Sequence, residues 1–408
     1  VHNEWLQTKQ GLVIEMGNDC GTFLTQTPRG WDVWPSQKFA GQMTPAEPTR
    51  TDLERITADA VALRAVLQKP SPNRGGYPTT GSDPEIFLRS GTGALLPAWR
   101  FLPGKANPRR IDKTPYRFYS GTIFADGFQA EYTPETGFGC NEVLVSHIAD
   151  GLNEILATAR DLDPTATLSA DSVVEIPPEL MASAPPEFQM LGCDPSLNLY
   201  DMPGEPVTDG SKLLQRFAGG HVHLATAHPV RTRHDMVFAL DAILSVWAVG
   251  AAANFDSPVR RRYYGRAGEF RLPTHGLEYR TLSNFWLRAP WLAHCVFDMA
   301  RMCAMLGASK LWRLWQAEPL EVVETINHCD VKRAREILQR NHGMFVRTMG
   351  QASAVWTERH AEKAYNTGLY GLETVVRDPK AIATNWQLYG AHNLYCDQGR
   401  RLAWTICT

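Results

Sequence analysis

Five short stretches of this chain carry ionisable side chains at a spacing that could do chemistry. Asp83 and Glu85 lie in "SDPEIFLR", Glu131 in "FADGFQAEYTPE", and His221 and His223 in "RFAGGHVHLATA". Glu269 and Arg271 lie in "GEFRL", and Glu278 and Arg280 flank Tyr279 in "GLEYRTLSNFW". Residues two apart on a β-strand stand on the same face. Taken singly, each stretch has an ordinary explanation. An acidic pair before an apolar run makes a solvated turn, His-x-His makes two hydrogen-bonded or exposed rings, and Glu-x-Arg makes a cross-strand ion pair of little worth on a surface. Taken together they describe a sheet face too charged to be a core, one that must line water, metal or an anionic ligand. Carboxylate oxygens suit Mg²⁺ or Mn²⁺, an imidazole is compatible with either, and zinc would want more nitrogen or sulfur. Arginine forks beside such ions match phosphate oxygens. No GxxxxGK[ST] and no GxGxxG after a strand is present, so these residues describe a nucleotide-phosphate site built without a P-loop.

Helices and strands must position these groups. The chain has 408 residues, 44% hydrophobic and 21% charged, with a net charge of −2, which suits a globular protein and argues against a general nucleic-acid binder. Residues 51–69 predict a helix, with Thr51 and Glu54 as a capping box, followed by a Pro/Gly-rich linker over 70–81. From 82 to about 285 short strand-like runs alternate with turns, interrupted by helices over 141–162 and 232–253; beyond 286 the spacing is helical. That order predicts an α+β core with helices behind an antiparallel sheet. The apolar run 239–255 reads as a buried helix rather than a membrane span. The eight cysteines form no CxxC pair and "VHNEWLQTKQ" has no apolar core, so the expectation is reduced thiols, no signal peptide and a cytoplasmic location.

The series "DPE", "DGFQAEYTP", "LGCDPSLNLYD", "AGGHVHL" and "RRRYYGRAGEFRLPTHGLEYRTLSNFW" resembles the glutamine synthetase/glutamate–cysteine ligase superfamily. Within it the likeness is to the phage-type carboxylate–amine ligases (amidoligases), and it spans about residues 80–290. The resemblance implies a glutamine synthetase-like catalytic core over 76–290, with a curved, mostly antiparallel sheet backed by helices. It leaves an N-terminal extension with one helix over 1–75 and a mostly helical C-terminal part over 291–408, packed on the core. It also implies ATP and Mg²⁺ (or Mn²⁺) as cofactors. Metal would fall to Asp83, Glu85, Glu131, His221 and Glu278; His223 would lie near the ATP phosphates, Arg280 would meet the transferring phosphoryl group, and Arg271 and Arg262 would bind phosphate or a substrate carboxylate. "AGGHVH" lacks the longer glycine-and-asparagine lead of glutamine synthetases, so amine recognition does not carry over, and Asp83 stands where a glutamate is common.

The expected activity is ATP-dependent amide formation through an acyl phosphate. Two rivals use the same residues: a metal-dependent hydrolase built on the His-x-His strand, and a phosphotransferase of the same fold. The expected partners are a small-molecule or peptide carboxylate and an amine, with no membrane and no nucleic acid except as a modified-base substrate; a homo-oligomer is compatible with the likeness, and a phage-encoded enzyme would act in the host cytoplasm. Other residues carry plainer expectations. "RRR" at 260–262 reads as phosphate-binding or a solvated turn, and Glu142 as a first-turn helix residue. His294, Cys295 and Cys303 read as core, Asp194 as a Pro-turn or substrate contact, and Tyr263, Tyr264 and Trp286 as packing.

Overall fold

A computed structural model describes residues 78–113, 118–136, 141–191, 196–202, 205, 209–352, 358–372 and 378–391, and the backbone of five N-terminal strands. Those strands are β1 (Glu4–Thr8), β2 (Gly11–Glu15), β3 (Thr22–Thr27), β4 (Gly30–Pro35) and β5 (Thr44–Pro45). They form an antiparallel sheet in the order β4-β3-β2-β1-β5. The expected N-terminal extension with one helix thus also holds strands that the spacing did not predict. Aromatic and β-branched residues in "EWLQT", "GLVIE" and "TFLTQT" suit pleated strands better than helix. The helix expected over 51–69 and most of the linker lie outside the described residues, and strand begins at Thr79.

The main sheet has nine strands. In chain order they are β6 (Thr79–Arg89), β7 (Arg109–Lys113), β8 (Phe118–Asp126), β9 (Gln129–Pro134), β10 (Thr167–Ser169), β12 (Leu197–Asn198), β14 (Gly220–Ala225), β15 (Glu269–Arg271) and β16 (Gly276–Tyr279). Their order is β12-β15-β16-β14-β6-β9-β8-β7, with β10 also on β6. The short pair β11 (Val173–Glu175) and β13 (Gln215–Phe217) stands apart from it. A curved sheet was expected; the observed sheet is open, with distinct edges at β12 and β7, and is not curled or closed. The ladder ends for local reasons: β12 has only two residues, and the β7–β8 register shifts between Ile111 and Asp112.

Alternation sorts the two faces. Ile86 and Leu88 on β6, Ala130 and Tyr132 on β9, Val222 and Leu224 on β14, and Leu277 and Tyr279 on β16 all enter one large core. Behind them lie α1 (Asn141–Leu162), α4 (Val230–Ala252) and α6 (Pro290–Ser309). Between α1 and α4 come the short helices α2 (Pro178–Ser183) and α3 (Pro186–Gln189). The C-terminal helices contribute Ile326, Ile337, Phe345 and Trp386 to the same core. Val230–Ala252 is long and apolar enough to cross a membrane, yet 94% of its apolar window is buried inside the fold, as expected of a core helix. On the opposite sheet face a smaller cluster joins Phe87, Phe128, Val174, Ile176, Met181 and Ala218.

One polar contact inside the large core sets the register of β16. Residues Leu240–Ser245 form a π-helical segment within α4. Asp241 in that segment accepts a hydrogen bond from the Tyr279 hydroxyl, which also meets Ser245 Oγ at 2.6 Å. With Tyr279 held on the core side, Glu278 and Arg280 must face the other way, because a one-residue slip would exchange the two faces. Burial pushes the Asp241 carboxyl up to about 7, against the opposing Tyr279 bond. In the unfolded chain it titrates near 3.9. Between those values the folded protein holds a proton that the unfolded chain has released, so Asp241 makes stability fall as pH rises through this window and level off above it. Asp241→Asn removes that contribution. Urea unfolding at pH 5, 6 and 7 is expected to show the variant gaining on the wild type by about 1 kcal/mol per pH unit; parallel pH profiles would count against a proton on Asp241.

Candidate active site

Strand register brings together most of the residues singled out by spacing. His221 sits directly opposite Asp83, and His223 directly opposite Glu278. Arg271 is opposite Glu278 on its other side. Glu85 is opposite Glu131, and Glu131 in turn is opposite Phe124, two residues before Asp126. The face therefore runs without a break across β15, β16, β14, β6, β9 and β8.

Two clusters lie along it. Ligand atoms of Asp83, His223 and Glu278 fall within 4.8 Å of one another. His221 Nδ1 approaches Asp83 Oδ1 at 3.0 Å and Glu278 Oε1 at 3.7 Å, and His223 Nε2 approaches Asp83 Oδ1 at 3.2 Å. These buried atoms are close without hydrogen-bond alignment between them. Arg280 Nη1 lies 3.0 Å from Glu278 Oε1 and Arg271 Nη1 lies 3.6 Å from the same oxygen. The two arginines differ in access: the Arg280 side chain is 1% exposed and that of Arg271 is 27% exposed. The second cluster is Glu85, Asp126 and Glu131, again with ligand oxygens within 4.8 Å.

Electrostatics separates the clusters. Burial alone would raise Asp83, but facing His223 and His221 hold it well below the usual carboxylate range. Burial would lower both imidazoles; Asp83 outweighs it at His223, which is raised, and not at His221, which is lowered. Glu85 is pushed up to about 8 by burial and by Asp126, against a bond from the Gly219 N–H. Glu131 is driven well above its ordinary value by burial and by Asp83, Glu85 and Asp126. Asp126 is raised by burial, partly offset by the Lys105 ammonium.

Backbone clamps hold the face in place. The Gly219 N–H donates to Glu85 Oε2 at 2.7 Å, and the Glu85 N–H donates to the Gly219 carbonyl at 3.0 Å. The Tyr264 hydroxyl bonds His221 Nε2 and donates to Glu85 Oε1 at 3.4 Å. A Cβ on Gly219 would stand 2.5 Å from His221 Nε2 and 2.6 Å from the Tyr264 oxygen, and one on Gly220 2.3 Å from Trp286 Nε1. The double glycine before the histidine strand thus makes room for these side chains. The arginine triplet depends on α5 (Pro258–Tyr263), whose N-terminus is capped by Ser257. Arg260 donates to the carbonyls of Ala218, Thr281 and Leu282, and Arg261 to Gly265, Thr281 and the Asp256 carboxylate. The expectation that this triplet binds phosphate or lies in a solvated turn holds for neither of the first two, which are buried among carbonyls that no water could reach. Arg262 is exposed and pairs with Glu205 at 3.0 Å, away from the two clusters.

Four contributors escaped the sequence reading. Asp126 stands before Gly127 as a turn signal, yet its position two residues after Phe124 places it on the Glu131 face. Tyr264 counted as packing, although it follows the arginine triplet and bonds both clusters. Lys105 reaches the site from a loop with no pattern of its own. His275, exposed in the β15–β16 turn, stacks on His223 with centroids 5.2 Å apart. Glu269 is on the charged strand but serves the backbone, accepting from the Gly265 N–H at 2.8 Å. His294 bonds Tyr389, and Cys295 and Cys303 are buried core thiols. The Glu142 side chain and Asp194 lie outside what is described.

The donor set fits divalent cations. Buried carboxylates that raise one another and histidine and carboxylate atoms converging without mutual hydrogen bonds are what a cation would relieve. Glu85, Asp126 and Glu131 offer oxygen only, suited to Mg²⁺ or Mn²⁺; Asp83, Glu278 and an imidazole offer a mixed set.

The site is thus an open antiparallel sheet backed by helices, with carboxylate, imidazole and guanidinium groups on one face. Residues 204–387, a little under half of the 408, match the family described as "Phage phiEco32-like COOH.NH2 ligase-type 2". Over that segment the chain is similar to a carboxylate–amine ligase-type phage family. No curated protein matches the chain. Among solved structures, a bifunctional glutathione synthetase from Pasteurella multocida is similar at 13% identity and a TM-score of 0.40. That match covers 88% of this chain, and the chain spans 53% of that structure's length, or about half.

Cations must displace protons from the raised carboxylates. With Glu85 near 8, binding of Mn²⁺ is expected to tighten as pH rises from 6 to 8 and to release protons. Isothermal titration in buffers of different ionisation enthalpy measures both; pH-independent affinity with no proton release would contradict the raised carboxylates.

Proposed function

We propose that this protein is an ATP-dependent carboxylate–amine ligase that forms an amide through an acyl phosphate. The observation that supports this most is the convergence of both carboxylate clusters with Arg271 and Arg280 on one sheet face that continues into the ligase-type segment. A carboxylate is a poor electrophile, so its oxygen first attacks the γ-phosphorus of ATP, the bond to the bridging β-phosphate oxygen breaks, and ADP leaves; the amine then attacks the acyl carbon of the acyl phosphate, gives up a proton, and phosphate leaves as the amide forms. Bound Mg²⁺ or Mn²⁺ would supply positive charge against the negative charge that develops on the transferring phosphoryl group.

The chain's own residues divide the remaining work. Glu85, Asp126 and Glu131 would hold one cation, and Asp83, Glu278 and His221 or His223 another. Arg280, buried against Glu278, supplies a fixed positive charge that needs no reorganisation. Arg271 is the more accessible fork and is placed to meet a phosphate or a substrate carboxylate. Arg262 is left out of this reading because Glu205 holds it elsewhere. The substrates would be a small-molecule or peptide acid and an amine.

The test is ADP release with Mg²⁺ or Mn²⁺ across paired acids and amines, with mass spectrometry of any amide. Glu278→Gln and Arg271→Ala are expected to lower ADP formation by about 100- to 1,000-fold while circular dichroism stays unchanged. Turnover that needs no ATP, or a stable phosphorylated product without amide, would sink the ligase reading.

A further inference from the structure

Lys105 stands at the mouth of the Glu85, Asp126 and Glu131 cluster, on a loop that β8 holds in place. The Ala125 N–H donates to the Pro103 carbonyl at 2.7 Å, and Gly104 forms a parallel bridge to Ala125. The Asn107 N–H closes the turn on the Gly104 carbonyl at 3.0 Å. A Cβ on Gly104 would come within 3.3 Å of the Phe188 ring, so α3 packs on the same loop. The Lys105 ammonium lies 5.7 Å from the centroid of the Phe124 ring. Phe124 is buried directly opposite Glu131 and two residues before Asp126, and it belongs to neither apolar cluster. The ammonium is thus beside both carboxylates, while Lys105 itself is exposed.

Arg280 and Lys105 both bring positive charge to this cluster, and they differ in kind. The Arg280 side chain is 1% exposed and fixed 3.0 Å from Glu278. Lys105 carries a compact charge on a flexible four-carbon stem at the water boundary. Burial raises Asp126 and Glu131, and the Lys105 charge opposes it at both. A divalent cation entering among the three carboxylates meets that ammonium at short range and repels it, and the stem lets it swing outward. Phosphate oxygens carried on the cation offer it a new anionic partner. We propose, resting on the metal sites of the function proposed above, that Lys105 is a tethered counter-ion: the cluster exchanges it for a divalent cation, and its ammonium then takes an oxygen of the phosphate that arrives with that cation. The face therefore prefers a metal–phosphate complex to the free ion.

Free Mn²⁺ and the preformed Mn²⁺–pyrophosphate complex are titrated separately into the full chain at low salt; the site concerned is the one lost in Glu131→Gln. Lys105→Met keeps most of the stem and removes the charge, and Lys105→Arg keeps the charge. In Lys105→Met free Mn²⁺ is expected to bind about 3- to 10-fold more tightly and the complex about 3- to 10-fold more weakly, both differences shrinking at high salt. Lys105→Arg is expected to stay near the wild type for both probes. Lys105→Gln repeats the measurement if Lys105→Met fails to fold. A merely structural role would weaken both probes together, and that result overturns the proposal. A wild type that binds Mn²⁺, with Lys105→Met indistinguishable from it, overturns the role of Lys105 and leaves the metal sites standing. A wild type that binds neither probe overturns the metal sites, and this role with them.

Discussion

Negative charge crowded onto one sheet face is the constraint around which the rest of this structure is arranged. Two unit charges 4 Å apart cost about 4 kcal/mol at an effective dielectric near 20, and about 1 kcal/mol in water. Asp83, Glu85, Asp126, Glu131 and Glu278 lie at such separations within their clusters, with Glu85, Glu131 and Glu278 buried and Asp83 and Asp126 half-buried. Arg280 offsets part of this at Glu278, and the imidazoles hold Asp83 ionised. Glu85, Asp126 and Glu131 have less compensation, and their raised pKa values express that shortfall. The face is therefore poised to take up positive charge, as protons or as divalent cations.

Holding such a face open requires a rigid opposite side. The site strands β6, β8, β9, β14, β15 and β16 carry their ionisable residues outward and apolar ones inward, and the inward set belongs to the core shared with α1, α4 and α6. Tyr279 is the clearest hinge between the two roles. It stands between Glu278 and Arg280, and its bond to Asp241 in the π-helical segment of α4 ties their orientation to the core. Arg260 and Arg261 act in the same direction from the loop side, pinning carbonyls of residues 218, 265, 281 and 282.

The family match and the site do not share boundaries. Residues 204–387 include β14, β15 and β16, and so His221, His223, Arg271, Glu278 and Arg280. Asp83, Glu85, Asp126 and Glu131 come from β6, β8 and β9, before the matched segment. Pairing of β14 with β6 is what joins the halves, since it sets His221 against Asp83 and lets Gly219 and Glu85 exchange backbone and side-chain bonds. A ligase-type half alone would hold only part of the donor set.

Residue type and spacing by themselves determined the alternation of the site strands, the pairing of acid with imidazole and arginine, and the helices over 141–162 and behind the sheet. These are local: a two-residue period names a face, and a helical stripe names a buried helix, whatever lies nearby. Tertiary structure decided the rest. It made the sheet open, turned Arg260 and Arg261 inward while leaving Arg262 with Glu205, and brought Asp126, Lys105 and Tyr264 to the clusters. Such outcomes depend on which strand lies beside which, and on what a long side chain meets when it arrives. Neither is written in the spacing of neighbouring residues, because contacts between residues 85, 221 and 264 exist only after distant strands have paired.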